Sequence, residues 1–280
     1  KTRMATASQN TQGAKSGDAA RPACRVPVSA AVICFNEAHN IARCLETLAW
    51  CEEIVVVDSG STDGTQDIVR SYPNTKLHYR RFDDYIQQKN HALDLCQCDW
   101  AISLDADEVL TPALTAEIHG LAFDVAGYHI GRRTFLGEQE IKHGTWSPDY
   151  NLRLFDRNRG RWGGTNPHES VQIVGATQRL SQRMLHYSFR SRQEFIERNE
   201  KYTRMSAEFL RRRGKQVFPG QGWIHAAGNF VKAYFLKGGL LDGYNGFYIA
   251  WHTARFSRMK YDLLRQPPAE TPAPPKSRAA

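Results

Sequence analysis

The sequence predicts an α/β fold in which a mainly parallel sheet is flanked by helices. Short apolar runs rich in β-branched residues occur at 28–34 (VSAAVIC) and 53–58 (EIVVVD), as in strands that are buried on both faces. Segments with apolar residues at helical spacing separate these runs. Strands that alternate with helices indicate parallel pairing through crossover connections.

Seven elements are predicted over the first 110 residues. The first helix has Asn40 as a candidate N-cap, and the turn SGSTDGT precedes the second. In order, we expect a strand at 28–34, a helix after Asn40, a strand at 53–58, a helix at 65–71, a strand at 76–80, a helix at 87–96 and a strand at 100–108. The last strand, WAISLDADE, ends in acidic residues.

Beyond about residue 120 the alternation of strands and helices weakens. Residues 127–137 are predicted to form a strand pair, and the Gly-, Trp- and Pro-rich stretch 143–168 is too irregular for a helix. Ser191 and Glu194 form a capping-box pattern at the start of a helix that ends at Gly214. The predicted organisation is a tail at 1–26, an α/β domain at 27–190, a basic, aromatic helical region at 191–265 and a Pro/Ala-rich tail at 266–280.

Composition excludes several classes of protein. Of the 280 residues, 41% are hydrophobic and 24% charged, so the chain can bury a sizeable core and is neither disordered throughout nor collagen-like. It has no apolar stretch long enough to span a membrane, and its polar N-terminal segment does not resemble a secretory signal. All six cysteines lie in the first hundred residues without a CxxC pair, which favours reduced, buried thiols in a cytoplasmic protein over a zinc site.

Positive charge is concentrated in the C-terminal third of the chain. Residues 179–265 contain 17 Lys and Arg against 6 Asp and Glu, a net charge of +11, whereas the whole chain carries +8. The cations, including the cluster RRRGK at 211–215, lie among aromatic residues. This pattern suits either a solvated helical face or a surface that binds anionic lipid. No nucleic acid is expected, because the chain has no RNP, helix-turn-helix or zinc-finger signature.

Polar residues follow three of the predicted strands. Asn36 and Glu37 come after the first strand, Asp58 ends the second, and Asp105 and Asp107 end the strand at 100–108. Because ligands of open parallel sheets bind beyond the carboxyl ends of the strands, we expect these residues to converge on one site. The Asp-x-Asp pattern favours a hard cation that would hold a diphosphate, with a solvated acidic turn as the alternative.

Two further segments have both a structural and a functional interpretation. The segment DSGSTDGT is either a tight turn before a helix or a turn in which Asp58 also binds a nucleobase or ribose. It lacks the endings of the Walker and dinucleotide-binding loops, which disfavours a dinucleotide fold. Lys89, on the predicted helix, is either an ordinary exposed lysine or a cation that binds phosphate.

Taken together, four motifs resemble those of family 2 glycosyltransferases of the GT-A fold. They are AVICFNEAHNIARCLETL, EIVVVDSGSTDGT, QQKNHALDL and WAISLDADE, in that order and spacing. The later stretches GTWSPDYNLRLFDRNRGRWGG, NPHESV and LHYSF are most similar to those of bacterial lipopolysaccharide core β-glucosyltransferases. The resemblance covers roughly residues 28–264.

The resemblance implies transfer of a sugar from a nucleotide donor, with UDP-glucose as the expected donor and inversion at the anomeric carbon. It implies that Asp58 binds the nucleobase, that Asn36 and Glu37 lie in the nucleotide pocket, and that Lys89 contacts the nucleotide. Asp105 would face the ribose or the donor sugar. The chain lacks the QxxRW segment of processive polymerases, so a single sugar is expected to be added.

The resemblance also implies the catalytic groups. Asp107 would ligate Mg²⁺ or Mn²⁺, and His186 would complete the contacts to the metal or the diphosphate. Glu169 would be the base that takes the proton of the acceptor, with Asp149 as the alternative. A structural interpretation of Asp149 is an ion pair with Arg153.

The expected acceptor is a lipid-linked saccharide such as the lipopolysaccharide inner core, reached from the inner face of the cytoplasmic membrane. Trp146 and Trp162 are either core aromatics or platforms that stack on the acceptor. Alternative functions are a nucleotidyltransferase that makes sugar nucleotides, a transferase with another donor such as ADP-heptose, and a non-catalytic protein that binds anionic surfaces.

Overall fold

The computed structural model describes residues 26–165 and 168–266, so nearly all of the two predicted tails lies outside the described residues. The strands are β1 (Val28–Cys34), β2 (Glu53–Asp58), β3 (Thr75–Tyr79), β4 (Trp100–Asp105), β5 (Glu108–Val109), β6 (Gly127–Leu136), β7 (Gln139–Ile141), β8 (Tyr150–Asp156), β9 (Gly160–Thr165), β10 (His168–Ile173) and β11 (Thr177–Phe189). The helices are α1 (Ile41–Thr47), α2 (Thr65–Arg70), α3 (Tyr85–Leu95), α4 (Pro112–His119), α5 (Arg192–Arg212), α6 (Gln221–Val231) and α7 (Gly243–Arg265).

A single large sheet contains nine of these strands and carries the predicted parallel half. Its order is β3-β2-β1-β4-β8-β6-β11-β5, with β7 paired to β6. The four strands of the first half are all parallel, and Val32 of β1 lies between Val56 of β2 and Leu104 of β4. From β8 onward antiparallel pairs enter, although β6 and β11 are parallel. The α/β prediction is confirmed, with a second half that is mixed.

The acidic end of the predicted strand at 100–108 is not a continuous strand. β4 ends at Asp105 and the chain turns, so that Glu108 starts β5 and pairs with β11. The Glu108 carboxylate closes the turn, because its Oε2 accepts a hydrogen bond of 3.0 Å from the Asp105 amide. Asp107 therefore lies in a tight turn at the edge of the sheet rather than on a strand.

The observed ends of other strands and helices can be compared with the predicted ones in the same way. Gly127–Leu136 form one long strand, β6, and its hairpin partner β7 begins only at Gln139. The stretch after His143, predicted to be too irregular for a helix, contains one 3-10 turn at Gly144–Trp146 followed by β8 and β9. Asn40 does precede α1, but its side chain donates to Glu37 Oε2 and does not cap the helix. Ser191 caps α5 by accepting from the Glu194 amide.

Two apolar clusters fill the faces of the sheet, and a third joins the C-terminal helices to it. β1 packs against both helical layers because its side chains alternate between the first two clusters. The third cluster combines Leu136 and Ile141 of the β6–β7 hairpin with Phe195 of α5 and Ile249 of α7. The C-terminal helices are thus packed onto the sheet. Within the described part of the chain, no helix has both the length and the apolar character needed to cross a bilayer.

Candidate active site

Hydrogen bonds join the loop that follows β1 to the loop that follows β2. Asn36 has a left-handed backbone (φ 55°), its amide donates to Ser61 Oγ at 2.8 Å, and its Oδ1 accepts from the Thr62 amide at 2.9 Å. The Glu37 amide donates to Thr65 Oγ1 at 2.9 Å. The two loops therefore form one rigid rim at the carboxyl end of the parallel strands, as the sequence predicts.

Asp58 uses both carboxylate oxygens within its own loop. Oδ1 accepts from the amides of Gly60 and Ser61 at 2.9 Å each and from Gln66 Nε2 at 2.7 Å, and Oδ2 accepts from the Ser61 hydroxyl. Burial alone would raise the pKa of Asp58, but the hydrogen bonds from Ser61, Gly60 and Gln66 hold it below its usual range. Asp58 thus stabilises the SGSTDG turn. Its contact with a nucleobase stays a prediction.

Lys89 is the centre of the site. It lies on α3 with a side chain that is only 5% exposed, so it is not an ordinary surface lysine. Its Nζ is 3.1 Å from Asp105 Oδ1 and 3.0 Å from Glu169 Oε1, and it lies 4.3 Å from the centre of the Trp162 ring. Three residues predicted from distant segments are therefore in contact.

Arg153, on β8, is a second buried cation, which the sequence analysis considered only as a partner of Asp149. Its Nη2 is 3.0 Å from Asp105 Oδ2 and 2.6 Å from Glu108 Oε1, and the side chain is 3% exposed. Burial would raise the pKa of Asp105, but Lys89 and Arg153 hold it well below its usual range. Asp105 is consequently a fixed carboxylate between two cations.

Asp149 contacts a different partner from the one expected. Arg132 of β6, not Arg153, binds it, with Nε 2.7 Å from Asp149 Oδ2. Oδ1 of Asp149 accepts a hydrogen bond of 2.8 Å from Asn151. Arg132 Nη1 also lies 3.1 Å from Glu108 Oε1. Both oxygens of Asp149 are therefore occupied in an ion-pair network beside the site.

Asp107 and His186 lie together at the other side of the turn. His186 Nε2 on β11 is 3.6 Å from Asp107 Oδ2, and Asp107 Oδ1 is buried without a hydrogen-bond partner. Burial would raise the pKa of Asp107, but His186 holds it below its usual value. In the ranges that the structure describes, no three His, Cys, Asp or Glu side chains form a complete cage for a metal. One carboxylate with a free buried oxygen and one imidazole fit a cation whose other ligands come from a diphosphate and water.

Glu37 extends this group toward α5. Burial and the nearby charge of Asp107 raise the pKa of Glu37 to about 7, whereas Asn40 and then Arg198 act to lower it. Arg198 lowers the pKa of Asp107 as well. An arginine of the C-terminal region therefore acts electrostatically on both acidic residues.

Glu169 has one oxygen held and one free. Lys89 binds Oε1, whereas Oε2 is buried without a hydrogen-bond partner. β10 carries Glu169, and its partner β9 is fixed to α3 because Asn90 makes two hydrogen bonds to the backbone of Trp162, 2.9 and 3.0 Å long. The glutamate is thus positioned by a lysine and by a strand pair outside the main sheet.

Of the two tryptophans considered as acceptor platforms, Trp162 is buried and Trp146 is partly buried. Trp162 is 6% exposed, and its Nε1 donates to Ser103 Oγ at 3.2 Å. Trp146 packs against Phe189 and Phe195 beside the third cluster. The core interpretation is therefore correct for Trp162, and Trp146 also contributes to packing.

Sequence reasoning missed the residues that pair across the sheet or come from α5. Arg132 and Arg198 stand among many arginines, and no local pattern distinguishes them. Arg153 was considered only as a partner of Asp149, not as a partner of Asp105. Glu108 did indicate in part that a buried cation is present, because an acidic side chain just after a buried strand needs a positively charged partner.

The sequence of this chain matches one family model and is similar to several known proteins. Residues 29–184 match the model of the family described as "Glycosyl transferase family 2". The chain is 32% identical over 237 residues to "Lipopolysaccharide core biosynthesis glycosyltransferase LpsC" of Rhizobium meliloti (strain 1021), a match that covers 80% of this chain and 86% of the relative. It is 28% identical to an "Uncharacterized glycosyltransferase" of Rickettsia felis, over 83% of this chain and 88% of that one.

Among solved structures, the chain is similar to S. aureus TarS 1–349. That structure is 18% identical with a TM-score of 0.43, over 84% of this chain and 91% of the other. A structure of the same TarS fragment in complex with UDP-GlcNAc has a TM-score of 0.43 at 17% identity and covers 84% of this chain and 92% of the other.

Proposed function

Because the chain belongs to glycosyltransferase family 2, we propose that it transfers a single sugar from a nucleotide donor to a lipid-linked saccharide, with inversion at the anomeric carbon. UDP-glucose is the proposed donor, and the lipopolysaccharide inner core is the proposed acceptor. The similarity to LpsC, a lipopolysaccharide core glycosyltransferase, supports this acceptor class. The alternative of a nucleotidyltransferase loses support, because family membership favours glycosyl transfer.

The free Oε2 of Glu169 is the observation that carries the proposed chemistry. An inverting displacement needs one carboxylate to take the proton of the acceptor hydroxyl. As that proton moves to Glu169, the acceptor oxygen forms a bond to the anomeric carbon, and the bond to the diphosphate breaks with its electron pair leaving on the nucleoside diphosphate. Lys89 holds Oε1, so Oε2 is the oxygen left to accept the proton.

Asp107 and His186 are the residues that would hold Mg²⁺ or Mn²⁺. The cation would supply positive charge to the departing diphosphate. Asp105 is fixed by Lys89 and Arg153 and is proposed to hydrogen-bond the ribose or the donor sugar. Asn36, Glu37 and Asp58 form the rim beside it, which we propose as the nucleotide pocket.

A donor screen tests this function. We expect UDP release from UDP-glucose when Mn²⁺ and detergent-dispersed lipopolysaccharide truncated to its inner core are both present. Removing the metal with EDTA should reduce the rate by at least about a hundredfold, because the leaving group loses its compensating charge. ADP-heptose and UDP-GlcNAc are included as competing donors. Release of pyrophosphate from a nucleoside triphosphate, with no sugar transfer from any donor, would instead identify a nucleotidyltransferase.

We also propose that the α6–α7 hairpin rests on the anionic inner face of the cytoplasmic membrane. Many large apolar side chains between residues 223 and 251 are exposed, and exposed apolar surface often marks an interaction site. They include Trp223 (61%), Phe235 (56%), Leu236 (77%), Leu241 (66%), Tyr244 (64%) and Trp251 (56%). We call these six residues the hairpin surface.

Charge supports a membrane rather than a second copy of the chain on this surface. Residues 218–251 contain three Lys, Arg, Asp or Glu residues, Lys232, Lys237 and Asp242. Both lysines are exposed, whereas Asp242 is 7% exposed and accepts a hydrogen bond of 2.8 Å from the His143 amide. Two copies would bring like charges together, whereas anionic headgroups would neutralise them.

Vesicle sedimentation tests the membrane contact. The protein should bind vesicles that contain phosphatidylglycerol more tightly than neutral vesicles. Changing Lys232 and Lys237 to Gln should weaken binding by about thirtyfold, since each basic residue near the surface contributes about 1 kcal/mol. Replacing Trp223, Leu236 and Leu241 with Ser should weaken it further. Val174→Ser is the control, because Val174 is 77% exposed but lies on the β10–β11 turn. Concentration-dependent dimerisation with no vesicle binding would contradict the proposal.

A further inference from the structure

Three aromatic residues, Phe82, Tyr85 and Tyr202, form a chain of contacts where the start of α3 meets α5. Tyr85 is the first residue of α3, and its hydroxyl lies 3.1 Å from the hydroxyl of Tyr202 on α5. Phe82, in the loop before α3, contacts the Tyr85 ring edge to face with 5.0 Å between ring centres. Phe82 remains 43% exposed, so its ring is available to a ligand.

This aromatic group is connected to the proposed base through α3. Tyr85 and Lys89 are four residues apart on α3 and therefore lie on the same helix face. Lys89 contacts both Asp105 and Glu169. Burial raises the pKa of Tyr85, as do its hydrogen bond to Tyr202 and the charges of Asp105 and Glu169. Tyr85 therefore lies about one helical turn from the lysine that holds both carboxylates.

We propose that Phe82, Tyr85 and Tyr202 form the subsite for the acceptor sugar. This inference rests on the proposed function, in which Glu169 takes a proton from an acceptor hydroxyl. The sugar hydroxyl must come within hydrogen-bond reach of Glu169, so the sugar ring must occupy the space next to it. The ring of Phe82 offers an apolar face for the carbon–hydrogen face of a pyranose, and the two phenol groups offer donors and acceptors for its hydroxyls.

A ligand can replace the hydrogen bond between the Tyr85 and Tyr202 hydroxyls. Each phenol can both donate and accept, and their mutual bond uses only part of that capacity. A sugar hydroxyl inserted between them would replace one hydrogen bond with two. Tyr202 lies on α5, so the C-terminal region contributes to the choice of acceptor in this arrangement.

Direct binding of a lipid-free inner-core oligosaccharide, measured by titration calorimetry with UDP and Mn²⁺ present, tests the subsite. Tyr202→Phe and Phe82→Ala should each raise the Kd for the oligosaccharide by about tenfold, since a polar or stacking contact to the sugar is lost. The Kd for UDP should change by less than about twofold. Tyr72→Phe is the matched control, because the Tyr72 hydroxyl makes one exposed hydrogen bond to Glu46 on the opposite side of the fold.

The outcomes separate this inference from the proposed function. An unchanged Kd for the oligosaccharide in both variants overturns the subsite, even if Tyr202→Phe lowers the melting temperature, because the tyrosine pair then only fastens α5 to α3. A wild-type protein that transfers sugar but does not bind the oligosaccharide also overturns it. A wild-type protein that binds the oligosaccharide, with weaker binding in the variants, but transfers sugar from no donor supports the subsite and refutes the proposed function.

Discussion

Glu169→Gln is expected to lower kcat by about a thousandfold while the Kd for UDP changes by less than a few fold. The substitution keeps the size of the side chain and an oxygen that can accept from Lys89. It removes the negative charge and the free oxygen that would take the acceptor proton. Turnover of UDP-glucose with the inner-core acceptor measures kcat, and calorimetry measures the affinity for UDP.

Asp149→Asn is the matched control for this prediction. Both oxygens of Asp149 are already bound, by Arg132 and Asn151, so its carboxylate is poorly placed to take a proton. We expect kcat of Asp149→Asn to fall by less than about tenfold. If Asp149→Asn abolished turnover and Glu169→Gln left it nearly unchanged, Asp149 would be the base and the proposed mechanism would be wrong.

Local patterns were sufficient to predict the parallel half of the sheet. β1 and β2 are continuous apolar runs, and continuous apolar runs indicate strands buried on both faces. Their bounds agree with the structure residue for residue. The pattern failed at 100–108, because the side chain of Glu108 folds back onto the Asp105 amide and reverses the chain. A side-chain contact of this kind leaves no trace in the periodicity.

The convergence of the acidic residues could be predicted, but the cations that organise them could not. Asp105 and Asp107 follow a strand, and the topology of a parallel sheet places such residues at one edge. The structural interpretation of Asp149 paired it with Arg153, four positions later in the chain. Instead β6 pairs with β8 and brings Arg132 to Asp149, which leaves Arg153 to bind Asp105 and Glu108. Strand partners in the mixed half of the sheet decide this choice, and the sequence does not specify them.

Arg153→Met should lower the free energy of unfolding by about 3 kcal/mol. Methionine has similar length and no charge, so the substitution removes the cation without leaving a large cavity. Asp105 and Glu108 would then share too little positive charge in a buried site, although Lys89 and Arg132 remain as partners. Urea unfolding followed by far-UV circular dichroism measures the change, and the melting temperature should fall by about 6–12 °C.

A double variant separates the loss of charge from the loss of packing at this position. Glu108→Gln in the Arg153→Met background removes the carboxylate that loses its partner, so part of the lost stability should return. Arg161→Met is the control, because its ion pair with Asp94 is about half exposed and should contribute less than about 1 kcal/mol. If Arg153→Met were as stable as the Arg161→Met control, the buried cation would not hold this site together. The position of Asp105, on which the proposed donor contact depends, would then need another explanation.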